Sequence, residues 1–411
     1  MLRKLLNQSG MENESRQSLS RQVIDYNLVP TLVSLMGKCS EPHYQLEASW
    51  CLATLSSCQT RNLQATISDS LVKKTTTALC NPYKAIFEQA AWIIAKLSEN
   101  SPKVKIMFLQ SGCYEILIDK MQHGETLKEM KLATWALSNL IRGPKGMSRF
   151  QPICLKPMMR MVKKSNDVEI LHQLLTTIGD LFDHQWVVFF SSEGLLGRLA
   201  EIVKLSYKSI LVPTIRILKH YSAAEESYTQ ELIDQGFVKV MFEWLVSDAF
   251  DKENKPDLLW ILSNITIGPQ NQKNAVFDSP QRWKILERFC YDQDVKISRE
   301  AVYLMCNTTH QCSYGVKQVL IDQGFLRIMH HHFEIQKDED TISIMLEALD
   351  NILQSGKSLN FGNYGSSYQD YLDDMGILDD LEGLGNHDSN DIYQKVCKIG
   401  DQYLEEEDDF Q

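Results

Sequence analysis

Several aromatic residues in this 411-residue chain are spaced to do recognition chemistry together. Trp135 is followed four residues later by Asn139, Trp260 by Asn264 and Tyr303 by Asn307, while Trp50 and Trp92 stand in similar apolar surroundings. An indole attracts a Lys or Arg head group through its ring face and packs against the methylene stem. On a helix, a carboxamide four residues on points the same way. It offers both a donor and an acceptor, enough to pair with the backbone of an extended peptide. Parallel indoles would form slots for long cationic side chains, and acidic neighbours such as Glu226 and Asp257 would favour them further.

A tryptophan within a helix is ordinarily core. Helical geometry argues otherwise here. At about 100° per residue, Asn139 falls about 40° from Trp135, whereas Ala133, Leu137 and Leu140 fall about 140° to 200° away. The same split holds around Trp50, with Ala48, Leu52 and Leu55 opposite, and around Trp92, with Ala90, Ile94 and Leu97 opposite. Trp260 faces away from Leu258, Leu262 and Ile265, and Tyr303 from Ala301 and Met305. The aromatic residues therefore form a row on the face opposite the core.

The elements that carry this row repeat. The steps between its members are 42, 43, 125 and 43 residues. The long step is filled by Thr176 and Arg216, and a further 44 residues beyond Tyr303 lies Glu347. A second series, Asn27, Ser70, Gly112, Gly194, Gly236 and Gly324, precedes apolar helical runs at multiples of nearly the same unit. Gly and Asn supply a left-handed turn at low cost, so each of these positions should lie in a turn between helices. No alternating strand pattern or hairpin signal appears. The period and layout are those of an all-α, right-handed superhelical armadillo-repeat solenoid of about nine to ten repeats. Residues 1–355 should form the array, its first repeat partial. Residues 356–370, rich in Gly, Ser, Asn and Tyr, should be a loop, residues 371–404 the last repeat, and 405–411 an acidic tail.

Composition narrows the function. A net charge of −11 argues against general nucleic-acid binding and for a cationic partner. No apolar run is long enough for a membrane span. The ten cysteines lack metal-site spacing and read as small apolar fillers in a reducing compartment. His330, His331 and His332 are adjacent and point in different directions on a helix, so no metal site and no cofactor is expected. No phosphate loop, nucleophile elbow, zinc-protease motif or dinucleotide fingerprint is present, so no enzyme is expected.

The segments around Trp92, Trp135 and Trp260, with Leu346–Leu353 and the acidic end, resemble importin alpha, the adaptor family of nuclear import. That resemblance covers essentially the whole chain and implies a groove binding Lys/Arg-rich nuclear localisation signals at two sites. The major site would comprise Trp50, Glu88, Trp92, Trp135 and Asn139. The minor site would comprise Arg216, Thr229, Trp260, Asn264, Glu300, Tyr303 and Asn307, with Arg142 between the two. The chain departs from the family pattern at Thr54 and Lys96, where Asn is usual, and at Thr176 and Asp180, where Trp and Tyr are usual. Cys58, Leu63 and Asn100 stand where the family's lysine pocket has Gly, Thr and Asp. These departures imply a weakened major site and a chain that leans on its minor site. The basic segment that binds importin beta in the family has no counterpart before Asn27, so the chain is expected to be trimmed or to recruit its receptor differently. The C-terminal repeats would contact the recycling exportin and nucleoporins, and the protein would shuttle between cytoplasm and nucleus. Two other readings stay open: a catenin-like scaffold, and an armadillo protein with a dedicated non-import partner.

Overall fold

The computed structural model describes residues 13–38, 41–57, 67–99, 101–143, 150–182, 184–205, 207–248, 250–335, 338–355, 359–360 and 368–404. Among them every regular element is helical. The contacts divide the chain into two compact units, residues 1–217 and 218–411, with the division falling inside the helix Lys208–Ser222.

Each unit is built from short helices in a recurring order. In the first, Pro102–Gln110 leads to Cys113–His123 and then to the long helix Leu127–Ile141 that carries Trp135. In the second, Glu226–Asp234, Phe237–Val246 and Lys255–Ile267 repeat that order and bring Trp260 to the equivalent place. The pattern returns in Gln270–Val276, Pro280–Cys290 and Val295–Thr308, which carries Tyr303.

The turn between the first two helices is set by backbone conformation. Gly112, Gly194, Gly236 and Gly324 have φ between 70° and 81°, and Asn27 has φ 53°. Left-handed backbone is cheap for Gly and tolerable for Asn. Ser70 breaks the series: it lies within the helix Asp69–Ala78, whose N-cap is Ser68, two residues earlier. Gly376, at φ 76°, is a member of the series outside its 42-residue rhythm.

Four of the row-bearing helices start at side-chain caps. Thr126, Asp167, Asp294 and Asp338 each accept a backbone N–H in the first turn of such a helix. A cap satisfies an otherwise orphan donor and fixes where the helix begins. Their C-terminal ends are held by buried lysines from neighbouring helices. Lys105 Nζ donates to the Arg142 carbonyl, Lys273 Nζ to Thr266 and Lys317 Nζ to Asn351. A cation there complements the negative end of the helix dipole. Burial holds the pKa of Lys105 and of Lys273 below the ordinary lysine value, and the Arg142 charge lowers Lys105 further.

The core is the face opposite the aromatic row. Ala133, Leu137, Leu140, Leu258, Leu262, Ile265, Ala301 and Met305 are fully buried. Neighbouring row helices pack side by side, Lys255–Ile267 against Val295–Thr308 in one unit and Lys84–Glu99 against Leu127–Ile141 in the other. The helix Tyr368–Asp374 begins inside the stretch read from sequence as a loop. The remainder of that stretch, apart from residues 359 and 360, and the acidic tail lie outside the described residues, as do Cys58, Leu63 and Asn100.

Candidate functional site: the aromatic row

In the unit of residues 1–217, Trp50 and Trp135 are half-buried and Trp92 is 39% exposed, while their flanking apolar residues are buried. The indoles are less free than the sequence suggested. Trp92 and Trp135 meet edge to face, with centroids 4.9 Å apart and planes 61° apart. That is contact distance for an aromatic pair. No side chain fits between them, which corrects the expectation of parallel slots for this pair. A cleft of about 410 Å³ opens beside them, bordered by Lys131, Glu169 and His172. Trp92 Nε1 donates to Ser57 Oγ at 2.9 Å.

Polar partners of this row are already engaged. Glu88 pairs with Lys128 at 2.5 Å. Asn139 is buried; its Nδ2 donates to the Ala95 carbonyl at 3.3 Å, and its Oδ1 accepts from Arg142 Nη2 at 2.5 Å. Thr54, in the place of an Asn, donates to the Trp50 carbonyl at 3.0 Å. Lys96, in the other such place, pairs with Glu99 at 3.1 Å and lies 5.5 Å from the Trp135 ring centroid. In the middle of the row, Asp180 joins Arg216 and Arg142, the latter at 3.5 Å.

The unit of residues 218–411 carries Trp260, Asn264, Tyr303 and Asn307 on adjacent helices, all half-buried. Asn264 Nδ2 donates to Ser222 Oγ at 3.3 Å, and Asn307 Nδ2 donates to Ser263 Oγ at 2.8 Å. Asn351 does the same to Thr309 Oγ1 at 3.2 Å. The carboxamides thus bond back to the preceding row helix, which fixes their amide nitrogens. The Tyr303 hydroxyl accepts from Thr341 Oγ1 at 3.2 Å, and burial pushes its pKa up. Glu300 has one buried carboxylate oxygen without a hydrogen-bond partner, and burial raises its pKa against the pull of Arg299 and Lys219. Thr229 is buried.

One residue seated on the row in this unit was missed at the sequence level. Lys219 Nζ lies 4.8 Å from the Trp260 ring centroid and pairs with Asp257 at 2.6 Å. The available signal was its position, three residues after Arg216, where the preceding row helix approaches the next ring. The histidine run does not converge. His330 Nδ1 meets Asp380 at 2.8 Å, His331 lies against the Tyr291 ring, and His332 Nε2 meets the Cys290 carbonyl at 2.7 Å. Among the described residues, no His, Cys, Asp or Glu group could hold a metal ion, and no helix is long and apolar enough to cross a membrane.

The fold and its row define an armadillo-repeat solenoid. A solved engineered protein aligns with a TM-score of 0.78 at 18% identity, covering 97% of both chains. A designed armadillo repeat protein aligns at TM-score 0.51 and 13% identity, covering 58% of this chain and 99% of that one. In sequence the chain is similar to importin alpha subunits along nearly its whole length. It is 28% identical over 400 residues to importin subunit alpha-1b of Oryza sativa subsp. japonica, covering 94% of this chain and 73% of that protein. It is 27% identical to importin subunit alpha-1a of the same plant, covering 94% and 74%, and 26% identical to importin subunit alpha-3 of Arabidopsis thaliana, covering 94% and 73%. No family model matches the chain.

Proposed function

We propose that this protein is a nuclear import adaptor that binds Lys/Arg-rich localisation segments of cargo proteins along its aromatic row. The observation that carries this reading is the seat of Lys219 on Trp260 with Asp257 beside it. A half-buried indole with an adjacent carboxylate holds an ammonium there, which is the chemistry a basic peptide would use. Similarity to importin alpha subunits over 94% of the chain supports the same role. The partners would be cargo proteins and importin beta, with the recycling exportin and nucleoporins at the C-terminal repeats. The protein would work in cytoplasm and nucleus, as an adaptor rather than a catalyst.

The site around Trp260, Asn264, Glu300, Tyr303 and Asn307 would be the main binding surface. Trp50, Trp92, Trp135 and Asn139 would contribute less, because Asn139 has both its amide nitrogen and its amide oxygen engaged internally and Trp92 packs on Trp135. If both sites act, linking them gives avidity for a two-part signal. Calorimetry with a peptide rich in Lys and Arg, against its alanine-substituted control, tests the reading. Trp260→Ala should weaken binding more than Trp92→Ala does, and a larger loss at Trp92 would reverse the ranking of the sites. A second reading, a dedicated non-import partner, draws on the internal occupancy of the row; selective capture of a non-basic partner, with the basic peptide ignored, would favour it.

A further inference from the structure

Two lysines of the chain occupy the place a ligand cation would take. Lys96 lies 5.5 Å from the Trp135 centroid and Lys219 lies 4.8 Å from the Trp260 centroid, both inside the ~6 Å range of a cation–π contact. Each is steadied by an acid of its own unit, Glu99 at 3.1 Å and Asp257 at 2.6 Å. The two arrangements arise separately. Lys96 comes four residues after Trp92, while Lys219 comes three residues after Arg216. Both nevertheless reach the ring of the next row helix.

We propose that Lys96 and Lys219 are specificity-determining residues that act as resident competitors, each holding one indole of the row against a ligand cation. The inference rests on the basic-peptide reading above and refines it. A basic side chain arriving at Trp135 or Trp260 meets an ammonium already on the ring, and like charges at that range repel. Binding therefore requires the lysine to leave its ring and its carboxylate. The vacated acid, Glu99 or Asp257, then becomes available to the incoming cation. A peptide gains full affinity only if it engages ring and acid together, so isolated lysines are rejected more strongly than dense basic runs. This selects for closely spaced cationic residues.

The test uses the full chain and a short synthetic peptide containing a run of consecutive Lys and Arg residues. Lys96→Met and Lys219→Met keep the aliphatic stem and remove the charge, whereas Lys96→Arg and Lys219→Arg keep a cation on the ring. Each Met variant should bind the peptide about 2- to 20-fold tighter than the unaltered chain, and the Arg variants should not. Fluorine NMR of protein carrying 5-fluorotryptophan reads the placement without ligand. The Trp135 line should move in Lys96→Met and the Trp260 line in Lys219→Met, each assigned from the matching Trp→Phe variant. Unmoved lines overturn the proposal. So does equal or weaker binding by the Met variants when the unaltered chain binds, an outcome that leaves the basic-peptide reading intact. If neither the unaltered chain nor the double Met variant binds the peptide, the basic-peptide reading falls and this proposal with it.

Discussion

Asn307 reaches back one repeat to Ser263, its Nδ2 donating to the serine Oγ at 2.8 Å. Ser263 is buried, so removing the carboxamide leaves its hydroxyl without that partner. Asn307→Ala should therefore cost about 1 kcal/mol of local stability. Native-state hydrogen exchange should register the loss in Lys255–Ile267 and Val295–Thr308 and spare distant helices. Combined with Ser263→Ala, the losses should be less than additive; strict additivity would mean the bond contributes nothing.

Lys317 ends the helix Glu339–Leu353 by donating to the Asn351 carbonyl and, at 2.9 Å, to Ser355 Oγ. Lys317→Met keeps the stem and removes the charge. It should destabilise that helix by about 1 to 2 kcal/mol, since the site is buried and the cation faces a helix C-terminus. Exchange of the last-turn amides is the direct readout; an unchanged rate there would show that water replaces the ammonium at no cost.

Gly236 and Gly376 make a matched pair. Both have φ near 80°, at 81° and 76°. A methyl at Gly236 would meet open space, whereas one at Gly376 would come within 2.7 Å of His330 Cε1. Gly236→Ala should cost about 1 to 2 kcal/mol of backbone strain alone. Gly376→Ala should cost more, because the His330 ring must shift away from Asp380. Equal losses in thermal unfolding would show that the ring yields freely.

Two histidines two residues apart pull stability in opposite directions with pH. His332 is buried, and burial holds its pKa below the ordinary value. It must stay neutral in the fold, so its contribution is present above about pH 6.5 and is lost as pH falls below that value. His330 is raised, chiefly by its hydrogen bond to Asp380 and against partial burial, with the Asp380, Glu334 and Asp379 charges adding to the rise. Its contribution is complete below about pH 6.5 and fades as pH rises through its raised pKa. Burial lifts Asp380 more than His330 lowers it, which narrows the range over which the pair is ionic. His332→Gln should flatten the acid limb of a stability–pH profile, and His330→Gln the limb above it. A profile unchanged by His332→Gln would show that the acid limb belongs to other groups.

The periodic features of this molecule were readable in the chain because they obey local rules. Gly112, Gly194, Gly236 and Gly324 mark left-handed turns that few residues adopt, so their spacing announces the repeat. Ser70 misled for the same reason: it fell on the rhythm but has no left-handed preference, and Ser68 took the cap instead. The position of the Trp row followed from helical geometry. What it met did not. The angle between Trp92 and Trp135 depends on side-chain torsions that spacing leaves open. Lys219 on Trp260 and Lys105 under Arg142 join residues 41 and 37 positions apart, through rotamers of long flexible side chains. Their consequences for ligand choice became visible only when both partners were placed.

The carboxamide bonds from Asn139, Asn264, Asn307 and Asn351 each join one row helix to the one before it, across 42 to 44 residues. Under tension applied at the two ends, such links are loaded in series rather than in parallel. Each repeat can then yield alone, releasing about 140 Å of slack chain as it does. Stretched, the protein would behave as a row of fuses, lengthening in discrete steps while the repeats still intact keep their cores.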